Sequence, residues 1–189
     1  KEVSFANDKI EPIEYVDKSA LSEDELKKYD DLGDNEIKQG KYAVVTMAGG
    51  QGTRLGHNGP KGTFMLGLEK DKSIFEILAD SLNANNEKYG VIIPWYIMTS
   101  RENNDQTENF FKENNYFGYD SSAIIFFKQG ELPMCSEQGK LLIDENGAIK
   151  EAADGHGGIF ESMRRNGVIF DMQTRGVEWA FIGPVDNVL

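Results

Sequence analysis

Residues 42–66, YAVVTMAGGQGTRLGHNGPKGTFML, constrain the fold more than any other stretch. The run at 42–48 is short, almost wholly apolar and rich in Val and Thr, as expected of a strand buried on both faces of a parallel sheet. Gly49, Gly50, Gly52 and Gly56 follow it directly, interleaved with Gln51, Thr53 and Arg54. Residues without a Cβ admit close backbone approach and φ values closed to other residues. Successive N–H groups in such a bend make a concave anion site. Pro60-Lys61-Gly62 then adds a second cation on a stiffened backbone. The expectation is a loop at the carboxyl end of a strand that wraps polyphosphate, with Arg54 and Lys61 neutralising charge.

Two standard phosphate motifs do not fit. The spacing Gly50-x-Gly52-x-x-x-Gly56 departs from the dinucleotide fingerprint G-x-G-x-x-G, and Lys61 lies between Pro60 and Gly62 rather than in the Gly-Lys-Ser/Thr of a P-loop. Glycine content alone is equally compatible with a surface loop bearing two solvated cations. Its place directly after a buried strand favours a ligand site.

The remaining pattern gives an α/β layer fold. A capping box at Ser22-Glu23-Asp24-Glu25 predicts a helix from 22 to about 30. Ile74, Ile77, Leu78 and Leu82 lie at helical spacing, so 73–86 reads as an amphipathic helix stopped by Asn85 and Asn86. Residues 91–99 read as a strand with Pro94 near its start, 107–115 as a helix, and 123–127 as a third strand. A hairpin is expected at 140–150 around Glu145-Asn146-Gly147, helices at 157–166 and 169–175 with Gly176 as cap, and a last strand at 178–182. The β-α-β-α-β order points to a mainly parallel sheet flanked by helices. In such sheets ligands bind beyond the carboxyl ends of the strands. The glycine loop, Gln129-Gly130, residues 154–158 and Asp186-Asn187 would all fall there.

Charge and cysteine narrow the function classes. Twenty Lys+Arg against 32 Asp+Glu leave a net charge of −12, which repels nucleic acid and anionic membranes. A small cationic pocket on an acidic body still admits a nucleotide. The single cysteine, Cys135, permits no internal disulfide, which points to the cytoplasm. No apolar run approaches the roughly 20 residues of a membrane span, and the opening KEVSFANDK does not read as a secretory leader.

AGGQGTRLG followed by PKG resembles the signature of UTP-dependent sugar-1-phosphate uridylyltransferases. WYIMTS (95–100), YFG (116–118), FFKQGELP (126–133), DGHGG (154–158) and VDNVL (185–189) are similar, in order, to blocks of the UDPGP-type UDP-sugar pyrophosphorylases. The UDP-N-acetylhexosamine enzymes are the nearer branch and the UDP-glucose enzymes a related one. The resemblance covers most of the chain from Lys41 onward. It implies a Rossmann-like nucleotidyltransferase fold of the GT-A kind, with a helical segment at 1–40 and the nucleotide-binding part of the catalytic domain at 41–189. The sugar-binding half, which follows the VDNVL block in the family, is absent, so a fragment of a longer enzyme is expected.

By the same resemblance, backbone at Ala48, Gly49, Gly50 and Gly155 and the Gln129 amide hold uracil and ribose. Arg54 and Lys61 contact the UTP phosphates, and Asp186 carries Mg²⁺, which prefers one or two carboxylates plus phosphates and water. His156 and Asn187 lie near the sugar phosphate. His156 stands where the N-acetylhexosamine enzymes carry asparagine, while UDP-glucose enzymes have histidine in a related block, so the sugar stays open. The implied reaction joins UTP and a sugar-1-phosphate, N-acetylhexosamine-1-phosphate or alternatively glucose-1-phosphate, into UDP-sugar and pyrophosphate. Two other readings are a uridine-nucleotide-binding module without turnover and a dehydrogenase with a degenerate dinucleotide fingerprint. Oligomeric state is open.

Overall fold

The structure, a computed structural model, describes residues 11–67 and 71–187. By compactness the chain divides after Asn35. Among its described residues the first unit is mostly helical: a 3-10 turn at Lys18–Ala20 leads into α1, Glu23–Lys38, whose last residues lie past the division. The expected capping box is present, with the Ser22 amide and hydroxyl both donating to Glu25 Oε2 and the Glu25 amide donating to Ser22 Oγ. The helix runs a further two turns beyond the expected end near 30. It stops where Gly40 takes a φ of 72° and its amide donates to the Ile37 carbonyl.

The second unit is a three-layer α/β body. Its strands and helices are β1, Tyr42–Met47; α2, Ile74–Tyr89; β2, Trp95–Thr99; α3, Asn104–Glu113; β3, Ile124–Lys128; β4, Glu131–Pro133; β5, Glu151–Ala153; α4, Ile159–Arg165; α5, Val168–Thr174; and β6, Trp179–Pro184. The main sheet has the order β3-β2-β1-β6, with every neighbour parallel. All five β2 residues are buried, as a run of large apolar side chains in a central parallel strand requires. α2 and α3 cover one face, where Phe75 and Phe111 pack edge-on at 4.9 Å and Phe111 meets Trp95 at 5.5 Å. α4 and α5 cover the other, meeting Ala43, Val45, Tyr96 and Met98. β6 is an outer strand, and its Trp179 and Phe181 are half exposed.

Several boundaries differ from those expected. α2 continues through Asn85 and Asn86 to a left-handed Gly90, because both asparagines have local uses: Asn85 Nδ2 donates to the Ser81 carbonyl and Asn86 Oδ1 accepts from the Ile93 amide. The second strand begins only at Trp95, after Pro94, whose carbonyl accepts from Val44. α3 starts three residues early and ends in a left-handed run, Asn115 to Gly118. The 140–150 hairpin appears as isolated bridges, Cys135 with Leu141 and Ile143 with Ile149, while regular antiparallel pairing is confined to β4 and β5. The helix expected at 157–166 is a 3-10 turn at His156–Gly158 followed by α4.

Candidate functional site

The glycine loop leaves β1 at its carboxyl end and folds back on itself in two 3-10 turns, Thr53–Leu55 and Lys61–Thr63. The loop is closed as a narrow antiparallel bend: the Gly52 amide donates to the Gly59 carbonyl and the Lys61 amide to the Gly50 carbonyl. One turn carries Arg54 and the other Lys61. Arg54 is exposed and has no hydrogen bond or ion pair to a described residue.

The glycines are required for different reasons. A Cβ on Gly49 would lie 2.6 Å from Gln129 Oε1, one on Gly52 2.8 Å from His57 Cβ, and one on Gly62 2.2 Å from the Phe75 ring. On Gly50 a Cβ meets no protein atom within 4 Å, so the protein itself does not demand glycine there. Gly155, at φ 77° and ψ −170°, holds a conformation that side chains disfavour.

Lys61 Nζ donates to Asp186 Oδ2 at 2.9 Å, joining the glycine loop to the end of β6. The Lys61 hydrogen bond holds the Asp186 carboxyl below the usual aspartate range, with partial burial opposing; the Asp186 amide, the Lys61 charge and the His156 charge add to the lowering. Gln129, just past β3, lies with its side chain over Gly49 and is anchored by its backbone N–H donating to the Thr99 carbonyl at 2.8 Å. Asp154 is wedged between two more close approaches, with its carboxylate within 2.3 Å of a Cβ built on Gly130 and 2.1 Å of one on Gly158. Asp154 Oδ1 and Gln51 Oε1 are buried without a hydrogen-bond partner.

Of the expected residues, the fold therefore joins Lys61 to Asp186 and Gln129 to Gly49. Gly155 and His156 are exposed just before α4. Asn187 instead lines an apolar cavity of about 290 Å³ on the α2 face, with Tyr42, Thr46 and Phe181. The Gly49 and Gly50 amides donate to no described residue, whereas the Ala48 amide and carbonyl are both engaged, by the Met98 carbonyl and by Asn103.

Asn103 was not singled out by the sequence. It is fully buried, its Nδ2 donating to the Ala48 carbonyl at 3.0 Å and the Gly50 carbonyl at 3.4 Å, and its Oδ1 accepting from the Ser100 amide. The Asn103 amide in turn donates to Ser100 Oγ at 3.1 Å. This reciprocal Ser-x-x-Asn pairing, a relative of the capping box, was the available signal.

Among the described residues no group of three His, Cys, Asp or Glu lies together as a metal cluster, and no helix is long and apolar enough to cross a membrane. A single ionised, half-exposed carboxylate still fits Mg²⁺ when phosphates and water complete its shell.

Comparison with known proteins identifies the family. A family model described as UTP--glucose-1-phosphate uridylyltransferase matches residues 2–189. The chain is 41% identical over 162 residues to a UDP-N-acetylglucosamine pyrophosphorylase of Saccharomyces cerevisiae, covering 84% of this chain and 34% of that protein. It is 35% identical over 194 residues to UDP-N-acetylglucosamine diphosphorylase 2 of Arabidopsis thaliana, covering 95% and 39%. The Trypanosoma brucei uridine diphosphate N-acetylglucosamine pyrophosphorylase crystal structure superposes with a TM-score of 0.81 at 28% identity, covering 87% of this chain and 36% of that one. The chain thus spans well under half the length of these relatives.

Proposed function

The chain belongs to the UTP–glucose-1-phosphate uridylyltransferase family, and on that premise we propose that it is the uridine-nucleotide-binding part of a UTP:sugar-1-phosphate uridylyltransferase. N-acetylhexosamine-1-phosphate is the proposed sugar substrate, since the curated relatives above are named for UDP-N-acetylglucosamine. The observation that carries this reading is the 2.9 Å Lys61–Asp186 contact, which brings a cation of the glycine loop and a carboxylate just past β6 to one point at the sheet's carboxyl edge.

In the proposed reaction an oxygen of the sugar-1-phosphate bonds to the α-phosphorus of UTP in line. The bond from that phosphorus to the bridging oxygen breaks, and pyrophosphate departs with the electron pair. Such displacements depend on positioning and charge neutralisation rather than protein nucleophiles. The Gln129 amide, offering both a donor and an acceptor, suits a uracil edge. The Gly49 and Gly50 amides and the open space at Gly50 suit close approach by the nucleotide. Arg54 and Lys61 would neutralise the triphosphate, and His156 would face the sugar phosphate. Mg²⁺ is the proposed cofactor; held by Asp186, it would neutralise charge on the phosphate oxygens. The single, exposed Cys135 supports a reducing compartment, the cytoplasm.

Calorimetric titration of the folded chain with UTP and Mg²⁺ tests the site: absence of binding at millimolar nucleotide would reject it. The alternative reading is a uridine-nucleotide-binding module without turnover. Pyrophosphate release, measured for this chain and for a full-length polypeptide containing it, separates the two.

A further inference from the structure

The fold leaves one histidine without a part in this scheme. His57 lies between the two cation-bearing turns, partly buried, with its amide donating to the Gly52 carbonyl at 3.1 Å. Its imidazole fills the space in front of Gly52, where a Cβ would sit 2.8 Å from His57 Cβ and 2.9 Å from Cδ2. The same ring faces Gly59 and packs edge-on against Phe64 at 5.8 Å. Across the bend, His57 Nε2 lies 2.7 Å from Thr63 Oγ1, and the Thr63 hydroxyl donates to the Pro60 carbonyl at 2.9 Å. A hydroxyl has one proton. With that proton given to Pro60, Thr63 must accept from His57, so the ring carries its proton on Nε2.

We propose that His57 is a positioning residue for the triphosphate: a clamp that ties the Arg54 turn to the Lys61 turn and fixes the spacing of the two cations. This rests on the nucleotide-site reading above and adds to it a residue that touches no substrate. Its physical basis is preorganisation. A bend of small residues loses conformational freedom when it closes on a ligand, and a ring packed against two glycines and bonded across the bend removes that loss beforehand. Glycine is required at 52 by the clamp rather than by any ligand.

The effect must be selective for the triphosphate. His57→Ala should weaken UTP by about tenfold, the range of one hydrogen bond and its packing, while leaving UMP, which lacks the β- and γ-phosphates, within about twofold. His57→Gln, whose amide can donate to Thr63, should recover most of the loss, and Thr63→Val should reproduce it. Calorimetry with both nucleotides reads these affinities, and urea unfolding confirms that each variant is folded. Equal weakening of UTP and UMP, or unchanged UTP affinity in folded His57→Ala, overturns the proposal. Wild-type protein that binds neither nucleotide overturns the site reading instead. In that event amide hydrogen exchange over residues 50–63 still decides the clamp: faster exchange in His57→Ala sustains it, and unchanged exchange removes it.

Discussion

Gly49→Ala separates ligand recognition from folding. Gly49 is not among the glycines with positive φ, so alanine meets no backbone obstacle. The obstacle is the Gln129 side chain: the new methyl would sit 2.6 Å from Oε1, 2.8 Å from Cδ and 3.0 Å from Nε2. All three atoms belong to the far end of a flexible side chain, while the Gln129 backbone stays fixed by its bond to Thr99. The amide therefore swings away and the chain does not move. The hydrogen bonds proposed between that amide and the base would be lost, at a cost of about 1–3 kcal/mol, or roughly 5- to 150-fold in UTP affinity. Stability should change by no more than about 0.5 kcal/mol. Gly62→Ala is the contrast, because its methyl would lie 2.2 Å from the ring of Phe75, a fully buried side chain packed on Phe111. Overpacking of that kind costs about 1–3 kcal/mol of stability. Calorimetry with UTP and urea midpoints read the two effects, and Gly49→Ala combined with Gln129→Ala should bind no worse than Gln129→Ala alone. Unchanged UTP affinity in Gly49→Ala, or a midpoint shift as large as that of Gly62→Ala, would refute the reasoning.

Three further substitutions probe the same region. Because Lys61 holds the Asp186 carboxyl low, that pair stabilises the fold above about pH 4 and its contribution is lost as pH falls below the unfolded value; urea midpoints of wild type and Lys61→Met should differ by a constant amount from pH 7 to 5 and converge below 4. With Asp186 half exposed the difference should stay under about 1 kcal/mol. Arg54→Ala should leave the urea midpoint unchanged within about 0.5 kcal/mol yet reduce turnover of a full-length enzyme strongly; equal turnover at saturating substrate removes Arg54 from the phosphate site. Asn103→Ala leaves the Ala48 carbonyl and the Ser100 amide without their partner, while the Gly50 carbonyl keeps the Lys61 amide, so unfolding experiments should show a loss of about 2–4 kcal/mol.

Local rules carried the sequence a long way. The apolar run before the glycines became β1, the Ser22–Glu25 box capped α1, and Ser73 capped α2 through the Glu76 amide. Periodicity and capping act over a few residues, so they are legible in order along the chain. Stops were harder to read. Asn85 and Asn86 are poor helix formers in isolation, but here their amides bond to nearby backbone and the helix passes through them. Asn103, beyond its local Ser-x-x-Asn signal, and His57 escaped the sequence reading for another reason. One grips carbonyls some fifty residues away and the other works through two glycines and a threonine across a bend, and neither relation has a period. The rule that ligands bind beyond the carboxyl ends of parallel strands grouped Lys61, Gln129 and Asp186 in advance; that Lys61 bonds to Asp186 and Gln129 lies on Gly49 is set by the loop geometry and was not legible.

That order also sets a schedule. The strand that delivers Asp186 inserts beside β1, although Lys61 and Asp186 are 125 positions apart in the chain. Parallel pairings between such distant segments form late, since the intervening chain must first be restrained. A growing polypeptide would possess its glycine bend and Gln129 well before the carboxylate opposite them. For the proposed site, competence to hold a metal–nucleotide pair would then wait on the docking of β6, and a variant that delays this docking would bind nucleotide late.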